Sequence, residues 1–473
     1  MRDTLQSMDI NNSRILRKLR QLMKKNNMKK LFTMVSGVLV SALSFAQQQP
    51  PQQNWHLQSK DVEKVYGTGV LKAYNELLKG KTPKPVVVAV LDGGLDTLHE
   101  DLKANLWRNP KEAFGDKDLD GNGYKGDVFG WNFLGGPNGQ VTDESVEYQR
   151  VYYRYKDQFA NVENEKQVKK KDLQHYRSWV LSKSLLKKAD SIAPVDFRAK
   201  QVKDDYFNPK DRFYGNSNLI GDPYFHGTHV GGIIGATRDN GIGMDGIAGA
   251  VQLMGIRVVP NGDEHDKDVA LGIRYAVDNG AQIINMSFGK RVSPERKLVE
   301  DAIRYAEKKG VLIVNAAGNE GTDIDSEPHY PSPFHMKGNT RASNMITVGA
   351  SGATEAGLVA PFSNYGIQTV DVFAPGVAIY ATIPGNKYSP LSGTSMATPV
   401  VAGIAALLKS YYPELTAKQL KFIIEQSVTK IDFPVTKPKS GGKKVKMTEL
   451  CRTGGVVNAY NALVMAEEMT KSK

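Results

Sequence analysis

A chain of 473 residues with 40% apolar side chains can bury a substantial core, which excludes a disordered polypeptide. The formal charge is +12, but residues 1–46 carry nine lysines and arginines against Asp3 and Asp9, so that segment holds +7 and the rest only +5. The remaining basic residues lie in mixed-charge stretches with no stripe to bind nucleic acid, and a single cysteine, Cys451, excludes an intrachain disulfide.

Residues 1–27 read as a start-site extension or a long basic n-region. From Met28, the stretch MKKLFTMVSGVLVSALSFAQQQP has two lysines, an apolar run from Leu31 to Phe45, and small residues at Ser44 and Ala46. This pattern predicts a signal peptide over 28–46 and hence an extracytoplasmic protein, periplasmic or secreted. The run is short for a bilayer, so no stable membrane anchor is expected after cleavage. Residues 47–84 begin as a Gln/Pro linker and turn helix-like around GVLKAYNELLKGK.

The main domain is expected over 85–465, ahead of a short tail at 466–473. PVVVAVLDGG (85–94) reads as a buried strand ended by glycines, and similar runs recur at 253–259, 282–289, 311–319 and 345–350. Between them, 267–280 and 297–310 have apolar residues three and four apart, the helical period. Strands alternating with helices predict a parallel sheet covered on both faces, with catalytic groups beyond the carboxyl ends of the strands. Residues 142–220 interrupt this pattern with a charged, helix-prone insertion, read as a solvated excursion on the core.

Hydroxyls cluster at SGTSMATPVVAG (392–403), ahead of a small-residue run. Pro399 is expected in the first turn of a helix, which would then start at Thr394 or Ser395. That start places Ser395 among free backbone N–H groups at the positive end of the dipole, where an oxyanion would be stabilised. A serine needs a base and a group that orients the base. His226 and His229 open HGTHVGGIIGA, and Asp92 ends the first strand, where a carboxylate is rigidly held. His56, His175, His265, His329 and His335 sit in polar or loop-like sequence, where surface imidazoles are expected. The His pair lacks a third ligand for zinc, and GIGMDG (241–246) follows no strand, so neither zinc nor a dinucleotide is expected. DKDLDGNGYKGD (116–127) sets Asp116, Asp118, Asp120, Asn122 and Asp127 in EF-hand-like spacing and is a candidate structural calcium loop.

VAVLDGGLDTLHEDL, HGTHVGGIIGA and GTSMATPVVAG resemble, in order, the three active-site motifs of the subtilisin-like serine peptidases, family S8. The resemblance covers roughly residues 85–465 apart from the insertion. It implies a three-layer α/β/α fold with a mainly parallel sheet, no cofactor for the chemistry, and protein or peptide substrates. By the same resemblance Asp92 orients the base, His226 is the base and then the acid, and Ser395 is the nucleophile. Asn319 in VNAAGNEG would be the oxyanion donor, and Ser287, Phe288, Gly289, Ala317 and Gly318 would line the specificity cleft. Asp101 and Asn240 match positions that supply calcium ligands in the family. The chain departs from the family at Val400, where histidine is usual, and at Asn315, where a small apolar residue is usual. The expected function is a secreted serine endopeptidase. The alternatives on the same residues are a catalytically silent domain that binds peptides, with the insertion as its docking surface, or an acyltransferase or peptide ligase.

Overall fold

The structure, a computed structural model, describes residues 53–136, 139–187, 193–194, 198, 201–202, 208 and 210–471. The expected start-site extension, signal peptide and first residues of the linker lie outside them. Nine strands of the described residues form one sheet: β1 (Val86–Asp92), β2 (Gly130–Asn132), β3 (Val251–Arg257), β4 (Ile283–Met286), β5 (Leu312–Ala316), β6 (Met345–Ser351), β7 (Val372–Pro375), β8 (Thr429–Lys430) and β9 (Gly455–Val456). Their spatial order is β8-β9-β7-β6-β5-β4-β1-β3-β2, and every pairing is parallel except the edge pair β8–β9. The helices that matter here are α1 (Val70–Glu76), α2 (Glu147–Phe159), α3 (Leu173–Leu185), α4 (Tyr224–Gly235), α5 (Asp266–Asp278), α6 (Arg296–Lys309), α7 (Thr394–Tyr411), α8 (Ala417–Gln426) and α9 (Ala459–Lys471).

The strands read as unbroken apolar runs because both faces are covered. Val88 and Val90 of β1, Leu253 of β3 and Val314 of β5 pack on one face against α4 and α7, through Val230, Ile233, Val400 and Ile404. Ala89, Leu91, Met254, Ile256, Ile284 and Ile313 face the other way onto α5 and α6, through Val269, Ile273, Val299 and Ile303. Each such Val, Leu, Ile or Met contributes about 1.5–3 kcal/mol on burial. The result is the three-layer α/β/α architecture expected from the motifs.

Trp55, Leu57, Val70 and Ala73, from the segment read as a linker and short helix, belong to the same core cluster as β1 and α7. Within the insertion, α2 and α3 close a small apolar cluster of Val151, Tyr155, Phe159, Tyr176 and Trp179, to which the main domain adds Val292. A buried ion pair ties it down: Lys290, itself paired with Asp266 of α5 at 2.9 Å, meets Glu147 of α2 at 2.9 Å. The excursion is therefore anchored at its base to the segment that follows Ser287–Gly289.

The histidines correct the sequence expectation. Of the five expected at the surface, His56, His265, His329 and His335 are buried and His175 is partly open. Their local sequence is polar, but segments distant in the chain cover them. His56 is fully enclosed with neither ring nitrogen partnered. Burial, with some repulsion from His229, lowers its pKa to about 3. Burial likewise lowers His229 to about 4, against the pull of the Ser389 carbonyl, 2.9 Å from Nε2. Unfolded histidines bind protons near pH 6.5, so the unfolded state takes up more protons than the folded one as pH falls from 6.5 towards 4. Stability is thus lost on acidification, by up to about 1.4 kcal/mol per pH unit for each group. The raised carboxyl pKa values of Glu264 and Glu425 at about 7, and Asp127 at about 6, act in the opposite direction. The difference between variants isolates the histidine: Tm should fall less between pH 6.5 and 4.5 in His56→Leu than in the parent. Equal falls would contradict this account.

Candidate active site

Asp92 is the last residue of β1, paired in register with Arg257 of β3, and its side chain is 2% exposed. The carboxylate accepts from the Gly93 N–H at 2.7 Å and faces His226 Nδ1, at 2.8 Å from Oδ1 and 3.0 Å from Oδ2. His226 stands in the first turn of α4, and Gly227 makes the approach possible. A Cβ on Gly227 would lie 2.0 Å from the Gly94 carbonyl oxygen and 3.0 Å from Asp92 Cβ. The imidazole is 38% exposed, so it remains open to solvent. Burial lowers its pKa and the Asp92 carboxylate raises it by more, so that the net shift is upward. Such a pair holds the proton on Nδ1 and leaves Nε2 as the basic nitrogen.

Ser395 is the second residue of α7, which starts at Thr394 after Gly393. Pro399 departs from expectation, since it sits in the second turn rather than the first. Its missing N–H leaves the Ser395 carbonyl without its helical partner. Ser287 supplies the replacement, its hydroxyl donating to that carbonyl at 2.9 Å, while Asn285 Nδ2 donates to Ser287 Oγ at 3.0 Å. The Ser395 hydroxyl donates back to the Ser287 carbonyl at 3.0 Å. The serine is thus docked on the segment read as a wall of the cleft, and rotation about χ1 frees its oxygen.

Asn319 follows β5. Its Oδ1 accepts from the Thr394 N–H at 2.8 Å and from the Thr394 hydroxyl at 3.0 Å, while that hydroxyl accepts from the Gly318 N–H at 3.1 Å. With the oxygen so engaged, Nδ2 is the amide's outward donor. A Cβ built on Gly393 would lie 3.5 Å from the Ser395 backbone nitrogen and 3.7 Å from Asn319 Nδ2, so both donors border one space. The Ser392 hydroxyl also binds backbone, accepting from the Ala378 N–H at 2.8 Å. The Thr394 hydroxyl thus binds backbone, at Gly318, and also holds the Asn319 amide, a side-chain contact between distant segments that no local pattern reports.

The acidic loop is organised differently from the EF-hand spacing. Glu112, Asp118 and Asp120 bring one carboxylate oxygen each within 4.8 Å of one another. Glu112 also accepts from the backbone of Leu119 and Asp120 at 2.6 and 3.0 Å. Asp116 and Asp127 fall outside that group. Asp116 is exposed, and Asp127 is buried and accepts from the Tyr275 hydroxyl at 2.6 Å and from Asn122 and Asn109 at 3.1 and 3.2 Å. Asp101 and Asn240 do meet, at 2.7 Å.

Residues 83–449 match the model of the subtilase family, Peptidase S8, and the chain belongs to that family. The thermostable alkaline protease of Halalkalibacterium halodurans is 38% identical over 234 residues, 48% of this chain and 60% of that protein. The thermophilic serine proteinase of a Bacillus strain is 38% identical over 239 residues, 50% of this chain and 52% of that protein. Thermitase of Thermoactinomyces vulgaris is 40% identical over 207 residues, 44% of this chain and 68% of that protein. The chain thus matches little more than half the length of the first two. Among solved structures, a protease of Pseudoalteromonas arctica superposes with a TM-score of 0.52 at 21% identity, covering 88% of this chain and all of that one, which bears on the fold alone.

Proposed function

We propose that the chain is a serine endopeptidase that cleaves protein or peptide substrates through Asp92, His226, Ser395 and Asn319. The observation that carries this reading is the Asp92–His226 contact of 2.8 Å, which opens the helix whose neighbour, α7, presents Ser395 at its N-terminus. His226 Nε2 takes the Ser395 proton as Oγ attacks the scissile carbonyl carbon. Asp92 stabilises the imidazolium that forms, without itself taking the proton. Asn319 Nδ2 and the Ser395 N–H receive the new oxyanion. His226 then protonates the leaving amine, and water repeats the sequence on the acyl-enzyme. A silent peptide-binding domain has no need of a carboxylate-oriented base, nor of two donors bordering one space at the start of α7. Incubation with denatured casein tests the proposal. Internal cleavage is expected, and Ser395→Ala should abolish it at unchanged Tm; equal cleavage by the variant would defeat the reading.

The lysine-flanked apolar run at 28–46 supports export from the cytoplasm. No helix of the described residues is long and apolar enough to cross a membrane. Calcium at the acidic loop is the second proposed element. Hard carboxylate oxygens from Glu112, Asp118 and Asp120 suit that ion, and the loop's backbone N–H groups already turn those oxygens inward. Calcium at a hundred times its Kd would stabilise the fold by about 2.7 kcal/mol. Chelation should therefore lower Tm in the parent but not in Glu112→Gln/Asp118→Asn; the same chelator shift in both would rule this loop out.

A further inference from the structure

The strands β4 and β5 pair in parallel up to Met286 and Asn315, and their continuations, Ser287–Gly289 and Ala317–Gly318, follow at the carboxyl edge of the sheet. A histidine stands between them. A Cβ on Gly289 would come 2.5 Å from His329 Nε2, and a Cβ on Gly318 would come 2.7 Å from His329 Cε1. Both positions are thus kept free of side chains, Gly318 also having a φ of +97°; the imidazole stands against both, and at Gly318 it shares the space with Asn364 Nδ2 and Glu320 Oε2, which the added Cβ would meet at 2.5 and 2.7 Å.

The loop that carries the ring is firmly tied. Lys290 and Tyr330 exchange two backbone hydrogen bonds, at 2.9 and 2.8 Å, and Lys290 is itself locked by Glu147 and Asp266. Asn315, the departure from the family pattern on β5, donates to the Pro331 carbonyl at 3.4 Å and to the Ala316 carbonyl at 3.0 Å. His329 is 8% exposed, yet its Nε2 has no hydrogen-bond partner. A buried, unpartnered nitrogen is costly unless something that binds there completes it. Burial lowers the pKa of this ring despite the nearby Glu320 carboxylate, so it is neutral at pH 7. A neutral ring next to that carboxylate offers hydrogen bonding without a formal charge of its own.

We propose that His329 is a specificity-determining residue of the cleft. Its ring closes off the depth between Gly289 and Gly318, and its unpartnered Nε2 selects a short, neutral polar side chain at P1, such as asparagine, threonine or serine. Hydroxyl and amide groups both donate and accept, so they satisfy Nε2 in either tautomer. A large aromatic P1 group meets the ring and leaves the nitrogen unpaired, and a site built to hydrogen-bond its substrate discriminates strongly against a group that cannot. This inference rests on the endopeptidase reading and on Ser287–Gly289 and Ala317–Gly318 as the cleft walls.

The test is a series of acyl-tetrapeptide anilides that differ only at P1: Asn, Thr, Ser, Leu, Phe, Lys and Glu. In the parent, kcat/KM for P1 Asn or Thr should exceed that for Phe by about tenfold or more. His329→Gly should raise the Phe substrate and lower Asn, reversing the order, while His329→Asn, smaller but polar, should keep the preference for Asn over Phe. A parent that prefers Phe or Lys overturns the proposal, as does a P1 order unchanged in His329→Gly. If only the proposal about His329 fails, the series is still hydrolysed by the parent and not by Ser395→Ala. If the parent and Ser395→Ala are equally inert on every member, the endopeptidase reading falls, and this inference with it.

Discussion

Replacing His226 with alanine is expected to lower kcat by about 10⁶-fold, the scale of loss seen when the triad serine or histidine is removed from subtilisin. That is about 8 kcal/mol of barrier. The size follows from the chemistry. Without the imidazole, the Ser395 hydroxyl has no acceptor for its proton, and the leaving amine has no donor. His226 is partly exposed in the first turn of α4 and its partner is a single carboxylate, so folding should not depend on it. The measurement is kcat on a peptide anilide together with thermal unfolding. Because the three groups act as one unit, His226→Ala/Ser395→Ala should be no worse than either single variant. A loss of less than about a hundredfold at unchanged Tm would remove His226 from the role of general base, since positioned proton transfer alone supplies about 10²–10⁴-fold.

Asn319→Leu is the second large effect, an expected fall in kcat of about 10²–10³-fold, or about 2.7–4 kcal/mol, as measured for the oxyanion asparagine of subtilisin. The substrate carbonyl is nearly neutral when bound and becomes an alkoxide as Ser395 attacks, so a donor aimed there acts mainly in the transition state. KM should move little. Thr394 sharpens the expectation, because its N–H and hydroxyl hold the amide oxygen and so turn Nδ2 outward. Comparable kcat in parent and Asn319→Leu, with only KM raised, would leave Asn319 as a wall of the pocket.

The parts of the candidate site legible in the chain are those carried by contiguous motifs. Asp92 ends a run of β-branched residues, His226 opens a small-residue helix and Ser395 opens another, so each position follows from its own element. The alternation of strands and helices likewise announced the layered sheet. What escaped depends on contacts between distant segments. His56 and His329 stand in polar sequence, yet the fold encloses both, and no local pattern reports burial by residues far along the chain. Glu112 lies four residues before the acidic loop and outside its alternating spacing, so the spacing pointed to Asp116 and Asp127 instead. Pro399 misled by a general rule. Its cost in the second turn is offset by the Ser287 hydroxyl, which takes over the orphaned Ser395 carbonyl. The charged insertion likewise reads as a free excursion until Lys290 and Glu147 meet.

The measurement that bears most directly on the central claim is covalent labelling of the full chain by a fluorophosphonate, with the adduct mapped by mass spectrometry. A phosphonylated Ser395 requires a nucleophilic oxygen, a base to take its proton and donors for the phosphoryl oxygen, which are the three features assigned to Ser395, His226 and Asn319. The account predicts one adduct, on Ser395, that is lost in His226→Ala. An unlabelled Ser395 in the parent, or equal labelling of parent and His226→Ala, would contradict it.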